Sequence, residues 1–253
     1  MKDLLDIDDP EQNDSKRYML ISDPHFSRSD VDLLDIVSKV HKYGEEHNCD
    51  EIIIGGDISK DVEEVSELIL EDVFDGFKIV KGNHDPWDPA ELYQEIRKKA
   101  PNSKNVFIGK KLSWEEGKYG DIRMSLSHKP QEFKIRSSTT ESPYDFLDDI
   151  ILYGHSHAPF DRTMGEGSIV IGMGSVFTNY HVPYKDNRKM AKRSFHTLDI
   201  GESVSLEHYD FDRDILIERS VYRRKAKGFE NCFKEIYQDV LEEPATGEVL
   251  SYA

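Results

Sequence analysis

The sequence predicts an α/β fold with a parallel sheet in its first half and a strand-rich second half. Between residues 17 and 99, short apolar runs alternate with stretches whose apolar residues recur at helical spacing. Beyond residue 105, short strand-like runs follow one another and are separated by turn residues. A chain of 253 residues suits one large domain, or one domain with additions.

The first half alternates strands with helices. The predicted elements are, in order, strand 17–22, helix 30–43 capped by Asp30, strand 51–54, helix 62–73, strand 77–80 and helix 89–99 with a proline at its start. The loops that connect these elements are short. A right-handed βαβαβ connection follows, and such a connection makes these strands parallel.

The second half consists mainly of strands. They are predicted over residues 106–108, 111–114, 122–127, 149–153, 168–171, 194–200 and 203–209, with a surface excursion over 180–193 and a final helix over 229–241. We expect three parts: an acidic flexible arm over residues 1–16, the main domain over 17–210, and a C-terminal extension over 211–253. The extension contains a basic cluster, for which we expect a solvated face or acidic partners within the chain.

Composition limits the function classes. The net charge of -17 argues against delocalised binding of a phosphate backbone, although a nucleic acid held through metal ions remains an alternative. Cys49 and Cys232 lie far apart and predict no disulfide framework. With no signal peptide in its first residues and no run of about 18 to 20 apolar residues, the chain is expected to be cytoplasmic and to have no membrane partner.

Polar residues gather where predicted strands end. The set comprises Asp23, His25, Asp57, Asn83, His84, His128, His155 and His157. Five of the ten histidines lie at these junctions, which random placement would seldom produce. Carboxylate, imidazole and amide ligands suit borderline divalent metals, whereas the lack of cysteine ligands disfavours a structural zinc site. Because open α/β sheets bind their ligands at the carboxyl ends of strands, this set predicts a metal site there.

The order of these motifs resembles that of the calcineurin-like metallophosphoesterase superfamily. Asp-x-His, Gly-Asp, Gly-Asn-His-Asp, His and Gly-His-x-His follow one another between residues 18 and 175. The compact chain is most similar to the bacterial and archaeal phosphodiesterase branch. The resemblance implies a four-layer α/β/β/α sandwich of two mixed sheets, the metallo-dependent phosphatase-like fold, with its site at one end.

The same resemblance implies two divalent metal ions. One would be held by Asp23, His25, Asp57 and His157, and the other by Asp57, Asn83, His128 and His155, so that Asp57 bridges the pair. Manganese is the first expectation, and iron, zinc, nickel and cobalt are alternatives. The assignment of His128 departs from many relatives, because Lys129 and Pro130 follow it.

The implied reaction is in-line attack on phosphorus by a hydroxide that the two metals share. His84 would face the phosphate and either protonate the leaving oxygen or stabilise negative charge, with Asp85 as its orienting partner. The predicted substrate is a small phosphate ester or a nucleotide. Metal-dependent nuclease and phosphomonoesterase activities are alternatives.

A non-catalytic scaffold of the same fold, like the retromer subunit, is the alternative from a different class. Such a scaffold has no need of its metal ligands, whereas every ligand position is filled here, and this favours catalysis. The sequence leaves the oligomeric state open, a homo-oligomer included.

Overall fold

The computed structural model describes residues 15–26, 32–69, 73–102, 105–116, 122–129, 135–136, 145–146, 148–157, 159–165, 167–177 and 193–237. Across these residues, one eight-stranded sheet, one five-stranded sheet and one two-stranded ribbon combine with three helices. Two mixed sheets with helices form an α/β fold, and the predicted fold class is therefore confirmed.

The bounds of the elements, in chain order, are β1 Lys16–Ile21, α1 Leu33–Glu46, β2 Glu51–Ile54, α2 Val62–Glu67, β3 Gly76–Val80, α3 Pro89–Lys99, β4 Asn105–Gly109, β5 Lys111–Glu116, β6 Ile122–Ser127, β7 Ile135–Arg136, β8 Asp145–Phe146, β9 Ile150–Tyr153, β10 Pro159–Met164, β11 Ser168–Met173, β12 Ser194–Ile200, β13 Ser203–Asp210, β14 Ile215–Arg224 and β15 Phe229–Ile236.

The eight-stranded sheet has the order β15-β14-β13-β12-β1-β2-β3-β4. Strands β1 to β4 are parallel, as the predicted βαβαβ connection requires. Strand β12 pairs antiparallel with β1, and β13, β14 and β15 continue as an antiparallel meander. In the parallel half, the carboxyl ends of β1, β2 and β3 lie at the same end of the sheet.

The five-stranded sheet has the order β10-β11-β9-β6-β5. Its inner strands β6, β9 and β11 are parallel, whereas β5 and β10 pair antiparallel at its two borders. The carboxyl ends of β6, β9 and β11 therefore also lie at one end of their sheet.

Alternation along the strands builds the core. In β1, Met19 and Ile21 belong to the cluster that contains the helices, whereas Tyr18 and Leu20 belong to the cluster between the two sheets. This period of two is what a strand buried on both faces requires. All three helices described pack on the eight-stranded sheet; the helix layer expected on the other sheet is not among the described residues.

Capping side chains fix where the helices begin. The Asp32 carboxylate accepts the N–H of Asp35 at the start of α1, so the helix begins three residues later than predicted and Asp30 is not its cap. In α3, Pro89 occupies the first position, as predicted, and Asp88, which had not been predicted as a cap, accepts the N–H of Ala90.

The C-terminal region corrects one prediction. The helix expected over residues 229–241 is wrong where the structure describes that stretch, because Phe229–Ile236 form strand β15 and pair with β14. Strands β10 and β14 had not been predicted. Two residues of the basic cluster have acidic partners, since Arg219 lies 3.5 Å from Glu207 and Lys225 pairs with Glu230.

Two further expectations concern parts of the chain that the structure mostly leaves undescribed. Of the acidic arm, only residues 15 and 16 are described, and Lys16 already begins β1. The excursion over residues 180–193 lies outside the described residues, with the exception of Arg193.

Both cysteines are free thiols. No described helix combines the length and the apolar character needed to cross a membrane.

Candidate active site

The predicted site residues converge at one end of the sandwich. Asp23, Asp57 and Asn83 follow β1, β2 and β3 of the first sheet, while His128 and His155 follow β6 and β9 of the second. Two clusters result, one of Asp23, His25 and His157 and the other of Asp57, His128 and His155. Within each cluster the potential ligand atoms all lie within 4.8 Å of one another.

The first cluster is built around the buried carboxylate of Asp23. Its Oδ2 accepts hydrogen bonds from the Ser22 hydroxyl and, at 3.0 Å, from the backbone N–H of His155. Its Oδ1 lies 3.5 Å from Nε2 of His157 and accepts no hydrogen bond from the described residues. Burial raises the pKa of Asp23 to about 7. A buried carboxylate oxygen in this position fits a bound cation, which would supply the missing partner.

The second cluster is built around Asp57. Nε2 of His128 lies 3.3 Å from Oδ2 of Asp57, and the backbone N–H of His84 donates to Oδ1 at 2.8 Å. Burial alone would raise the pKa of Asp57, but these interactions outweigh it and lower the pKa to about 2. Nδ1 of His128 lies 2.8 Å from the carbonyl oxygen of Gly55, and this contact orients Nε2 towards the carboxylate.

The two clusters adjoin each other. The backbone N–H of His155 donates to Asp23 in the first cluster, while its ring Nδ1 lies 3.2 Å from Nε2 of His128 in the second. The backbone N–H of His25 donates to the carbonyl oxygen of Asp57 at 3.0 Å. Burial lowers the pKa of His157 to about 4 and also lowers that of His155, so both imidazoles are neutral near pH 7 and can offer a lone pair. The donor set fits two borderline divalent cations.

The loop after β3 carries Asn83 and His84 on the open side of the site. Asn83 is exposed, and the His84 side chain is 67% exposed. Nε2 of His84 lies 4.0 Å from Oδ2 of Asp57, and its ring centroid lies 5.8 Å from that of His25. His84 therefore stands beside the second cluster where a bound molecule can reach it.

Asp85 makes contacts different from those expected. Its buried Oδ1 accepts the backbone N–H groups of Ile58 at 2.7 Å and Ser59 at 3.1 Å, and its Oδ2 accepts that of Gly82 at 2.7 Å. The expected contact with the His84 ring is not among these hydrogen bonds. Burial raises the pKa of Asp85 to about 6. The carboxyl group ties the loop after β3 to the loop that carries Asp57.

The backbone of the site is strained. Asp23, His25, Asp57, His155 and His157 all have positive φ, between 50° and 60°. Among the other described non-glycine residues, only Asn48 and Asp214 share this conformation. Each such residue costs on the order of 1 kcal/mol, and strain of this kind concentrates at functional sites. Aspartate and histidine adopt the left-handed region more often than most non-glycine residues, but most of them do not, so their presence alone did not predict it.

Glycines leave room for the ligand-bearing loops. A Cβ on Gly82 would collide with the backbone nitrogen and the carboxylate of Asp57. Gly56, with φ of 91°, approaches Gly82 and the His128 ring so closely that a Cβ would lie 2.8 Å from Nδ1 of that ring. The Gly-Gly-Asp and Gly-Asn-His motifs thus allow two loops to pack against each other.

Ser175 and Phe177 are neighbours of the site that the sequence did not identify. The Ser175 hydroxyl donates to the carbonyl oxygen of Asp23 at 3.0 Å, and the Phe177 ring meets the His25 ring edge-on at 5.6 Å between centroids. Their position directly after β11, at the same sheet edge as His128 and His155, was the signal that could have indicated them.

Solved structures with a similar fold come from distant proteins. GAP50, described as the anchor in the inner membrane complex of Plasmodium, has a TM-score of 0.56 and 11% identity over 84% of this chain and 90% of its own. Vps29 of Chaetomium thermophilum has a TM-score of 0.52 and 15% identity over 88% and 98%. The purple acid phosphatase PPD1 of yellow lupin has a TM-score of 0.52 and 11% identity over 84% and 54%. At these identities the likeness concerns the fold alone.

A comparison with curated proteins finds no match to this chain. A family model does match, over residues 17–202, which is well over half of the sequence. That span contains both clusters of the site and the loops that bear them. The chain therefore belongs to the calcineurin-like phosphoesterase superfamily.

Proposed function

We propose that the protein is a metal-dependent phosphoesterase, and specifically a phosphodiesterase that hydrolyses a small phosphate ester or a nucleotide. The observation that carries this proposal is the pair of adjoining clusters, each with a buried carboxylate and two histidines. Loops after four strands, β1 and β2 of one sheet and β6 and β9 of the other, contribute to them. An arrangement that gathers so many metal-type ligands from distant parts of the chain has no evident structural purpose.

The ligand assignment follows the two clusters. Asp23, His25 and His157 hold one cation, whereas His128, His155 and Asn83 hold the other, and Asp57 bridges both. When bound, two divalent cations would lower the pKa of a water nucleophile and neutralise the charge of the phosphate. We expect manganese, with iron, zinc, nickel or cobalt as alternatives.

His84 is the proposed catalytic residue of the chain itself. Its exposed ring can reach a phosphate oxygen, and its backbone N–H holds Asp57 in place. We assign to it the protonation of the leaving oxygen or the stabilisation of negative charge. We assign a positioning role to Asp85, because its three backbone hydrogen bonds fix the loop that carries His84.

The scaffold alternative accounts less well for the site. A scaffold gains nothing from burying the Asp23 carboxylate or from holding five ligand residues at positive φ. Both features cost free energy in the absence of a cation. A metal-dependent enzyme explains both features, because cations bound at the clusters would offset this free energy cost.

The test is hydrolysis of bis-p-nitrophenyl phosphate by protein that is first stripped with a chelator and then supplied with Mn²⁺. We expect turnover with the metal and none without it. Absence of turnover with Mn²⁺, Ni²⁺, Co²⁺ and Zn²⁺ would instead favour the scaffold. A panel of nucleotides, cyclic nucleotides, phosphomonoesters and short nucleic acids then separates the phosphodiesterase from the phosphomonoesterase and the nuclease.

A further inference from the structure

A polar cavity lies between β10 and strands β12 to β15, away from the candidate active site. Its volume is about 140 Å³. It is lined by Pro159, Phe160, Asp161, His196, Leu206, His208, Glu218 and Lys234. Five of these eight side chains are ionisable, an unusual content for the edge of a sandwich core.

Three of the five stand in one row across adjacent strands. His196 of β12 lies opposite His208 of β13, which lies opposite Glu218 of β14. Residues that are directly opposite in antiparallel strands have side chains about 5 Å apart on the same face. The two imidazole rings are indeed stacked, with centroids 4.8 Å apart. Asp161, on β10 of the other sheet, completes the group of ionisable neighbours.

The imidazole nitrogens in this row lack hydrogen bonds. His196 is 1% exposed, and both of its ring nitrogens, together with Nε2 of His208, are buried without a hydrogen bond from the described residues. The backbone of Met173 is close enough to favour the protonated His196 ring, but not in regular hydrogen-bond geometry. Burial lowers the pKa of both histidines, so the rings are neutral near pH 7 and have lone pairs to offer. Because buried polar atoms are nearly always hydrogen-bonded, these ring nitrogens can take a partner such as a water or an ion.

A lysine occupies the acidic side of the cavity. Nζ of Lys234 lies 3.0 Å from the Asp161 carboxylate and 2.6 Å from that of Glu218. The Tyr222 hydroxyl also donates to Asp161. The Lys234 side chain is 39% exposed and can turn into solvent. Asp161 and Glu218 also share a hydrogen bond, and burial together with this contact raises the pKa of Glu218.

We propose that this cavity is a third metal site, which takes a borderline divalent cation such as Zn²⁺ through His196, His208, Asp161 and Glu218. Imidazole and carboxylate are the ligands such cations prefer. These donors do not converge as closely as those of the two active-site clusters, and the Lys234 ammonium contacts two of them, the carboxylates of Asp161 and Glu218. Binding of the metal displaces this ammonium group to solvent and draws the four donors together.

This site does not depend on the proposed catalytic function. His208, Glu218 and Lys234 all lie beyond residue 202, where the match to the family model ends. They are placed by the β13–β15 meander. The third site thus combines two residues inside the family match, Asp161 and His196, with His208 and Glu218 from the strands beyond it.

The first test counts bound metal. Full-length protein is stripped with a chelator, dialysed against Zn²⁺ and analysed by mass spectrometry, together with His208→Gln and the control His41→Gln, which changes an exposed histidine of α1. We expect His208→Gln to bind one equivalent less than the wild type, and His41→Gln to bind as much. Equal metal content in His208→Gln and the wild type overturns the proposal, whatever the active site binds.

The second test predicts tighter binding of Zn²⁺. A misfolded variant would not bind the metal more tightly, so misfolding cannot produce this result. In an Asp57→Asn background, which impairs the active-site clusters, Lys234→Met removes the competing ammonium. We expect the Zn²⁺ dissociation constant of the remaining equivalent to fall by at least about tenfold, because the cation no longer has to displace an ion pair. An unchanged or weaker affinity contradicts the role given to Lys234 and, with it, the proposed site.

Discussion

At the scale of single residues, Asp23 provides the clearest structural argument for the proposed cations. Its side chain is fully buried, and one carboxylate oxygen receives no hydrogen bond from the described residues. Burying a charge in this way is costly unless an opposite charge accompanies it. Five of the proposed ligand residues also have positive φ, and under the proposed assignment bound cations would offset both costs.

Replacement of His84 tests the catalytic role. We expect His84→Ala to keep its bound metal and to lose a factor of about 10² to 10⁴ in kcat for bis-p-nitrophenyl phosphate, the contribution typical of a general acid. Metal analysis and steady-state kinetics on the same preparation measure both. A His84→Ala protein with full metal content and a normal rate would refute the assignment, and His41→Ala serves as the control.

Replacement of Asp85 tests its role as a clamp between loops. Asp85→Asn places an amide NH₂ where a carboxylate oxygen now accepts a backbone N–H, and we expect a loss of about 1 to 3 kcal/mol in the free energy of unfolding. Asp88→Asn on the same loop changes an exposed cap to another good cap and should be nearly neutral.

The clamp also predicts an effect on metal affinity. Because Asp85 fixes the loops of Asp57 and His84, Asp85→Asn should weaken Mn²⁺ binding as well as stability. Chemical denaturation and metal titration measure the two effects. Similar behaviour of Asp85→Asn and Asp88→Asn would show that the carboxyl group has no positioning role.

Residue identity was largely predictable at this scale, whereas conformation was not. The motifs named Asp57, Asn83 and His155 because metals demand particular side-chain chemistry. The positive φ values and the contacts of Asp85 depend on how two loops meet, and local sequence does not encode such a meeting. Whether each named residue is a ligand stays a prediction until metal binding is measured.

At the scale of secondary structure elements, local pattern succeeded where the element was buried and failed where it was exposed. The predicted bounds of α3 and β6 agree with the structure, since Pro89 marks the start of α3 and five of the six residues of β6 are buried. In β15, seven of the eight residues are intermediate or exposed, and its state depends on pairing with β14. Pairing between distant or hairpin-linked strands overrides a weak helical pattern.

A buried ion pair joins β2 and β3 at the end of the sandwich remote from the candidate active site. Glu51 is 1% exposed and pairs with the equally buried Lys78, and Lys16 on β1 reaches Glu51 at 2.8 Å. Loss of one partner leaves the other charge buried and uncompensated, which costs about 3 to 5 kcal/mol. Replacing both partners by residues without charge removes that penalty.

We therefore expect Glu51→Gln to be strongly destabilising and the double variant Glu51→Gln/Lys78→Met to recover much of the loss. Urea denaturation of the wild type, both single variants and the double variant forms a complete cycle. Additive losses in the double variant would mean that the two side chains contribute independently, contrary to the pairing seen in the structure.

At the scale of the whole molecule, the acidic charge and the anionic substrate are in apparent conflict. The chain has a net charge of -17, and a phosphate ester approaching it is repelled at long range. The cations proposed for the two clusters would reverse the sign of the charge locally. The molecule should therefore bind phosphate only at short range, where the metals dominate.

This arrangement predicts the response to salt. Raising ionic strength from about 20 to about 200 mM screens the long-range repulsion, so kcat/KM for bis-p-nitrophenyl phosphate should hold or rise. A protein that binds a nucleic acid backbone through a basic surface shows the opposite, a steep fall. Kinetics across a salt series with Mn²⁺ held constant measure the effect, and a steep fall would favour the nuclease.

The central claim is that loops from five strands hold two cations with Asp57 between them. The most direct measurement is anomalous X-ray diffraction from crystals soaked in Mn²⁺. We expect two anomalous peaks about 3.5 to 4 Å apart, one beside Asp23 and one beside His128, with the Asp57 carboxylate touching both. No peak at these residues, or a single peak that Asp57 does not touch, would contradict the claim.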